Sequence, residues 1–270
     1  MSEWANMLAL AAILLIGVPH GAADVQLAVR GRLLTSNRSM LLFVGGYLAL
    51  TGLVVGFWLA LPVIALPAFF LLSAYHFGRG DGLARQKRVS AIVALAHGGG
   101  LTLIPLFHAA EVTPILAYLT DIDGALFQPF FFGMAMVWGG CVAFAVFNKT
   151  LGRAALLEII TIAVLFIIVP PLPAFAIYFT AIHSRRHFAR LFAIGLNKSR
   201  DWVPAALIAA ISVVAIAVAT ALIEPTQLSS GLVKALFIAL AGLTVPHMLL
   251  VDGADIFTRI AAAGDHHARQ

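Results

Sequence analysis

Met40-Leu-Leu-Phe-Val-Gly-Gly-Tyr-Leu-Ala-Leu-Thr-Gly-Leu-Val-Val-Gly-Phe-Trp-Leu-Ala60 decides the fold class. The run carries no charged residue, and as a helix it reaches ~30 Å, the thickness of a bilayer's hydrocarbon core. In lipid a single segment satisfies all its backbone donors and acceptors only as a helix. Working outward, further apolar runs fall at roughly 6–29, 62–78, 89–110, 125–147, 153–170, 172–196, 203–223 and 232–258, each broken by charge or by Pro and Gly. The sequence therefore predicts an all-α, polytopic transmembrane helix bundle of about nine spans. The count falls to seven or eight if one helix is re-entrant or lies in the interface. No long linker interrupts the runs, so the expectation is one integral-membrane domain over 1–270. The first run has no basic flank and contains His20 and Asp24, which a cleavable signal peptide would not need.

Composition agrees. Of the 270 residues, 61% are hydrophobic and 11% charged, against roughly 25% charged in a soluble domain. Mean hydropathy is +1.00. A soluble globular enzyme, a disordered chain and a disulfide scaffold are all excluded. Cys141 is the single cysteine and cannot form an internal bridge. The net charge of +5 does not indicate nucleic acid, because the basic residues are scattered between apolar runs. With nine alternating spans, all but Lys234 of the 17 Lys and Arg residues fall on one side. By the positive-inside rule the N-terminus is outside and the C-terminus cytoplasmic, in a multi-pass cell-membrane protein.

Nine histidines punctuate this chain. His266 and His267 lie in a polar tail, and His108 near the outer end of its run. His20, His76, His97, His183, His187 and His247 fall inside apolar runs, where polar groups are costly and mark function. At 1.5 Å per residue, His20 lies ~15 Å from Arg30, His76 ~5 Å from Arg79 and His247 ~18 Å from Arg259. Alternating spans thus gather these histidines in one leaflet. His183 and His187 are four apart, on one helix face, where two imidazoles can share a metal ion. Imidazole suits Zn, Cu, Fe and Ni, and the lack of thiolates disfavours structural zinc. Asp24 and Asp252 lie four and five residues beyond a histidine. Each fits either a carboxylate accepting the second N–H of a metal-bound imidazole or a plain helix–helix hydrogen bond. His97 precedes Gly98-Gly99-Gly100, where backbone can approach a neighbour closely. A membrane transporter using His and Asp for metal ions or protons, a di-iron desaturase and a bis-His haem protein are the rival readings. Transporters favour internal repeats, and here only Val18-Pro19-His20 echoes Val245-Pro246-His247. The desaturase class needs more histidine clusters than the single HxxxH.

Four segments together resemble one family: Gly17-Val-Pro-His20-Gly-Ala-Ala-Asp24, Ser73-Ala-Tyr-His76-Phe-Gly78 with Asp81 after it, Ile182-His183-Ser-Arg-Arg-His187, and Pro246-His247-Met-Leu-Leu-Val-Asp252. They are similar to the Brp/Blh family of bacterial and archaeal membrane β-carotene 15,15′-dioxygenases, which supply retinal to microbial rhodopsins. The resemblance implies a non-haem Fe(II) centre held by His20, His76, His183 and His187. It implies that O2 cleaves the central double bond of β-carotene to give two all-trans-retinal molecules, and that a rhodopsin is a possible acceptor. His247 is not carried over as a ligand. Asp24, Tyr75, Phe77, His97, His247 and Asp252 are candidates for supporting the ligands or lining the substrate path. Aromatic runs at Phe69-Phe70 and Phe130-Phe131-Phe132 could wall a carotenoid tunnel, although most such residues pack or face lipid. Tyr75 and Phe77 flank His76, which ties them to the proposed site.

Overall fold

A computed structural model describes residues 3–85, 89–196, 198–223 and 228–253. Among the described residues every regular element is helical. In order these are α1 (Glu3–Ala12), α2 (Asp24–Arg30), α3 (Asn37–Ala60), α4 (Pro62–Leu83), α5 (Ala91–Gly98), α6 (Leu103–Phe107), α7 (Ala109–Thr120), α8 (Gln128–Phe147), α9 (Arg153–Ile168), α10 (Pro171–Ile177), α11 (Arg185–Ala193), α12 (Ser199–Ile223) and α13 (Leu228–Met248). His266, His267, Lys87, Arg88, Arg259 and Arg269 lie outside the described residues.

Among the described residues, six segments are long and apolar enough to cross a membrane: Trp4–Arg30, Asn37–Ala60, Pro62–Leu83, Gly124–Phe147, Asp201–Ile223 and Gly231–Gly253. A seventh arises if Ala91–Phe107 and Ala109–Thr120, bent by 99°, count as one span. The bend falls at His108, whose φ of −118° and ψ of 37° leave the helical region. Nine spans were expected, and two of those runs fall short. The one at 153–170 is a helix of 16 residues. The one at 172–196 is divided into α10, a wide turn and α11, and it carries Arg185, Arg186 and Arg190. The apolar faces turned outward fit a lipid solvent. On α3, Leu41, Leu48 and Leu53 are all more than 60% exposed.

Among the described residues, three turns are wound as π-helix, at Ile13–Gly17, Tyr178–Ser184 and Leu249–Gly253. They stand just before His20, around His183 and just after His247. Such wide turns insert an extra residue and recur at functional sites. His20 itself lies in a 3₁₀ turn, Val18–Ala23, opened by Pro19. Proline removes a backbone donor there and fixes φ, which separates α1 from α2.

The chain forms two compact units. The first comprises Met1–Ile13 and Trp58–Arg186. Within it α4 packs on α5, α5 and α6 pack on α8, and α1 packs on α10. Glycine makes the α4–α5 approach possible: a Cβ on Gly98 would lie 2.0 Å from the Ala74 carbonyl oxygen. Gly99 and Gly100 receive the indole of Trp138, which also donates its Nε1–H to Ala96 O at 3.0 Å. The close approach expected of Gly98-Gly99-Gly100 is thus made on both sides.

The second unit comprises Leu14–Phe57 and His187–Gln270. Here α12 packs against α13, α2 and the turn that carries His20. Its core gathers Leu27, Ala28, Leu191, Ala205, Leu250 and Val251. After α11 the chain reverses at Gly195, whose φ of +85° is left-handed. The Gly195 carbonyl accepts from Arg30 Nη2 at 2.8 Å.

Candidate metal centre

In the second unit three imidazoles meet. Ring centroids of His20 and His187 are 5.4 Å apart, those of His20 and His247 5.1 Å, and those of His187 and His247 5.2 Å. All three residues are buried. Local structure fixes two of the rings. His20 Nδ1 is bonded to the Gly17 carbonyl oxygen, which can only accept, so Nδ1 carries the hydrogen. His247 Nδ1 lies 2.9 Å from Asp24 Oδ1 and 3.0 Å from Oδ2. The carboxylate also accepts from Tyr47 Oη at 3.0 Å. In the neutral form of either ring the lone pair is on Nε2. Ligand atoms of Asp24, His187 and His247 lie within 4.8 Å of one another.

In the first unit His76 and His183 have ring centroids 5.2 Å apart. Phe77 lies 4.6 Å from His183 and 5.9 Å from His76, centroid to centroid, so it does sit against the proposed ligands. Phe179 stacks on His183 and on Phe175. The Asp81 carboxylate lies 4.0 Å from His183 Nδ1 and accepts from Tyr178 Oη at 2.8 Å. Arg186 Nη1 approaches Asp81 to 3.1 Å and Glu158 to 2.7 Å. Arg85 Nε donates to Glu158 at 2.9 Å. An acid–base chain therefore runs inward from the exposed Arg85 through Glu158 and Arg186 to the buried Asp81, whose carboxylate stands beside His183.

His97 is buried with neither ring nitrogen hydrogen-bonded among the described residues. Tyr75 is half-buried and is not brought into ring contact with the histidines among the described residues, while Asp252 is half-buried at the end of the last wide turn. Phe131 is buried against Phe70 at 4.9 Å, whereas Phe132 is 62% exposed. His108 Nε2 lies 3.2 Å from Phe166 O.

Sequence reasoning missed Tyr47, Tyr178 and Glu158. Each had a signal: a hydroxyl or carboxylate inside an apolar run needs a partner. Arg186 was read as a charge marking one side of the membrane, whereas it is largely buried between Asp81 and Glu158.

These features define a helical membrane protein that carries clustered buried imidazoles, each cluster backed by a carboxylate and a tyrosine. The chain belongs to the β-carotene 15,15′-dioxygenase family, whose pattern it matches over residues 11–255. It is 29% identical over 254 residues to a β-carotene 15,15′-dioxygenase of an uncultured marine bacterium, 66A03, covering 90% of this chain and 92% of that protein. It is 30% identical over 293 residues to the probable β-carotene 15,15′-dioxygenase Blh of Halobacterium salinarum, covering 91% of this chain and 83% of that protein. No solved structure matches it.

Proposed function

We propose that the chain is a non-haem Fe(II) dioxygenase that cleaves the central 15,15′ double bond of β-carotene with O2, giving two all-trans-retinal molecules. One observation carries this reading: the family match spans residues 11–255, and every histidine of the motifs within it is buried. Iron is held by His20, His76, His183 and His187. The donor set suits that ion. Neutral imidazoles favour late divalent metals without demanding thiolates. His20, with Nδ1–H tied to a backbone carbonyl, is in the tautomer that metal-bound imidazoles use.

When bound, iron activates O2 toward the central alkene. The rest is the work of the chain. Apolar helices keep the protein in the phase where β-carotene dissolves, so the substrate need not pass through water. Phe77 and Phe179 pack against His183 and exclude water there. A rigid polyene held by such walls keeps a fixed register, which selects the central bond. One carotene and one O2 equal two retinals atom for atom, so no reductant is required. Basic residues orient a single integral-membrane domain over 1–270 with its N-terminus outside and its C-terminus in the cytoplasm of a cell-membrane protein. Retinal released into the bilayer is available to a microbial rhodopsin.

Expression in cells that accumulate β-carotene tests this. Loss of colour and the appearance of retinal on chromatography are expected. An unchanged carotenoid profile in cells holding folded, iron-loaded protein would overturn it. Iron content of His20→Ala, His76→Ala, His183→Ala and His187→Ala tests the ligands: each is expected to lose bound iron.

A further inference from the structure

Resting on the iron reading above, we propose that His247 is itself a ligand of the metal, with Asp24 and Tyr47 as positioning residues that hold its ring. The first support is that His247 offers a ligand atom within 4.8 Å of one on His20 and of one on His187, with ring centroids 5.1 and 5.2 Å away. An ion ~2.1 Å from an imidazole nitrogen sits ~3.2 Å from the ring centroid, so rings sharing one ion have centroids ~4.6–5.2 Å apart at octahedral to tetrahedral angles. Both distances from His247 fall at the wide end of that range, while His20 and His187, 5.4 Å apart, lie just outside it. Edge-to-face packing alone also allows such spacing. The hydrogen-bond partners of the rings separate the two explanations.

His247 donates Nδ1–H to a buried carboxylate and His20 donates Nδ1–H to a backbone carbonyl. These are the two partners that metal-bound histidines use to fix tautomer and aim the other nitrogen. A ring that served only to fill space in an apolar core would not need a carboxylate, itself buried at a cost of several kcal/mol unless paired. Asp24 is the rival ligand, because one of its oxygens lies within 4.8 Å of a ring nitrogen of His187 and of His247. Both its oxygens already accept, one from His247 and the other from His247 and Tyr47. That arrangement orients an imidazole rather than offering a lone pair to an ion.

The test uses the full-length, detergent-solubilised protein. Fe(II) affinity is measured by competition with a coloured chelator, and the Co(II)-loaded protein gives a ligand-field spectrum. His247→Gln is expected to weaken Fe(II) by about 100-fold or more and to shift the Co(II) bands. His247→Gly should recover both when imidazole is added. Asp24→Asn, which can still accept from Nδ1–H, should lose about 10-fold, the low end of the range for an outer partner. A loss in Asp24→Asn as complete as that in His187→Ala would make Asp24 the ligand and sink the proposal. Wild-type affinity and spectrum in His247→Gln, with iron lost in His20→Ala, would overturn the proposal and leave the iron reading standing. Iron retained in His20→Ala and His187→Ala as well would remove the reading beneath it. If His247→Gln does not fold, Asp24→Asn decides: unchanged affinity and spectrum overturn the proposal.

Discussion

Tyr178 donates its phenolic hydrogen to Asp81 Oδ2 at 2.8 Å, joining two residues 97 positions apart. Both are buried, and Phe77 and Phe166 pack on the tyrosine ring at 5.7 and 5.3 Å. Tyr178→Phe keeps that packing and removes the donor. A buried acceptor left short of a donor costs about 1–3 kcal/mol. The variant should melt several degrees lower in detergent; an unchanged melting temperature would show the bond to be energetically idle.

Gly98→Ala should be worse than a typical core change. Its Cβ would lie 2.0 Å from the Ala74 carbonyl oxygen and 2.6 Å from Gly78 N, both of them backbone atoms that cannot swing aside. Overpacking usually costs about 1–3 kcal/mol, more where backbone must move. Since His76 and His97 flank this contact on α4 and α5, separation of the helices should lower retinal formation as well. Thermal unfolding and activity, measured on the same preparation, check the pair of effects.

The acid–base chain should respond unequally to its members. The Arg85 side chain is 41% exposed, so Arg85→Ala should cost less than about 1 kcal/mol, as for a surface pair. Arg186→Met removes the cation between Asp81 and Glu158 and leaves two carboxylates facing each other in a dry setting. Its cost should be on the order of 3 kcal/mol. Equal melting temperatures for the two variants would contradict the geometry.

Gly195→Ala tests a single backbone angle. With φ at +85°, an added Cβ costs about 1–2 kcal/mol from chain sterics alone. It would also meet Arg30 Nη1 at 3.3 Å. Gly195→Asn should be milder, since asparagine visits this region more readily. A melting series of glycine, asparagine and alanine should fall in that order.

Much of this was legible from residues alone, for a physical reason. Lipid forbids unsatisfied backbone, so Met40–Ala60 could only be helical. Imidazoles are too polar to be casual in such runs, so His20, His76, His183, His187 and His247 stood out, and all are buried. Glycine spacing announced the contacts at Gly98 and Gly99. The run at 172–196 misled because hydropathy averages over Arg185 and Arg186, whereas the structure breaks the helix there with a wide turn. Asp24 was seen as a carboxylate that a histidine could use. That its partner is His247, from the far end of the chain, is a tertiary fact that no local spacing encodes. Tyr47 and Tyr178 went unremarked because a lone tyrosine in an apolar helix looks like any aromatic until its hydroxyl finds an acid.

Asp24 and His247 are separated by 223 positions. During biosynthesis the acid enters the bilayer early and the imidazole that needs it arrives only after nearly the whole chain has been translated. A ribosome stalled before α13 would leave that acid buried with no imidazole to hold. The contact between Asp24 and His247 is therefore a late event of biogenesis, made only once the last helix has joined the rest.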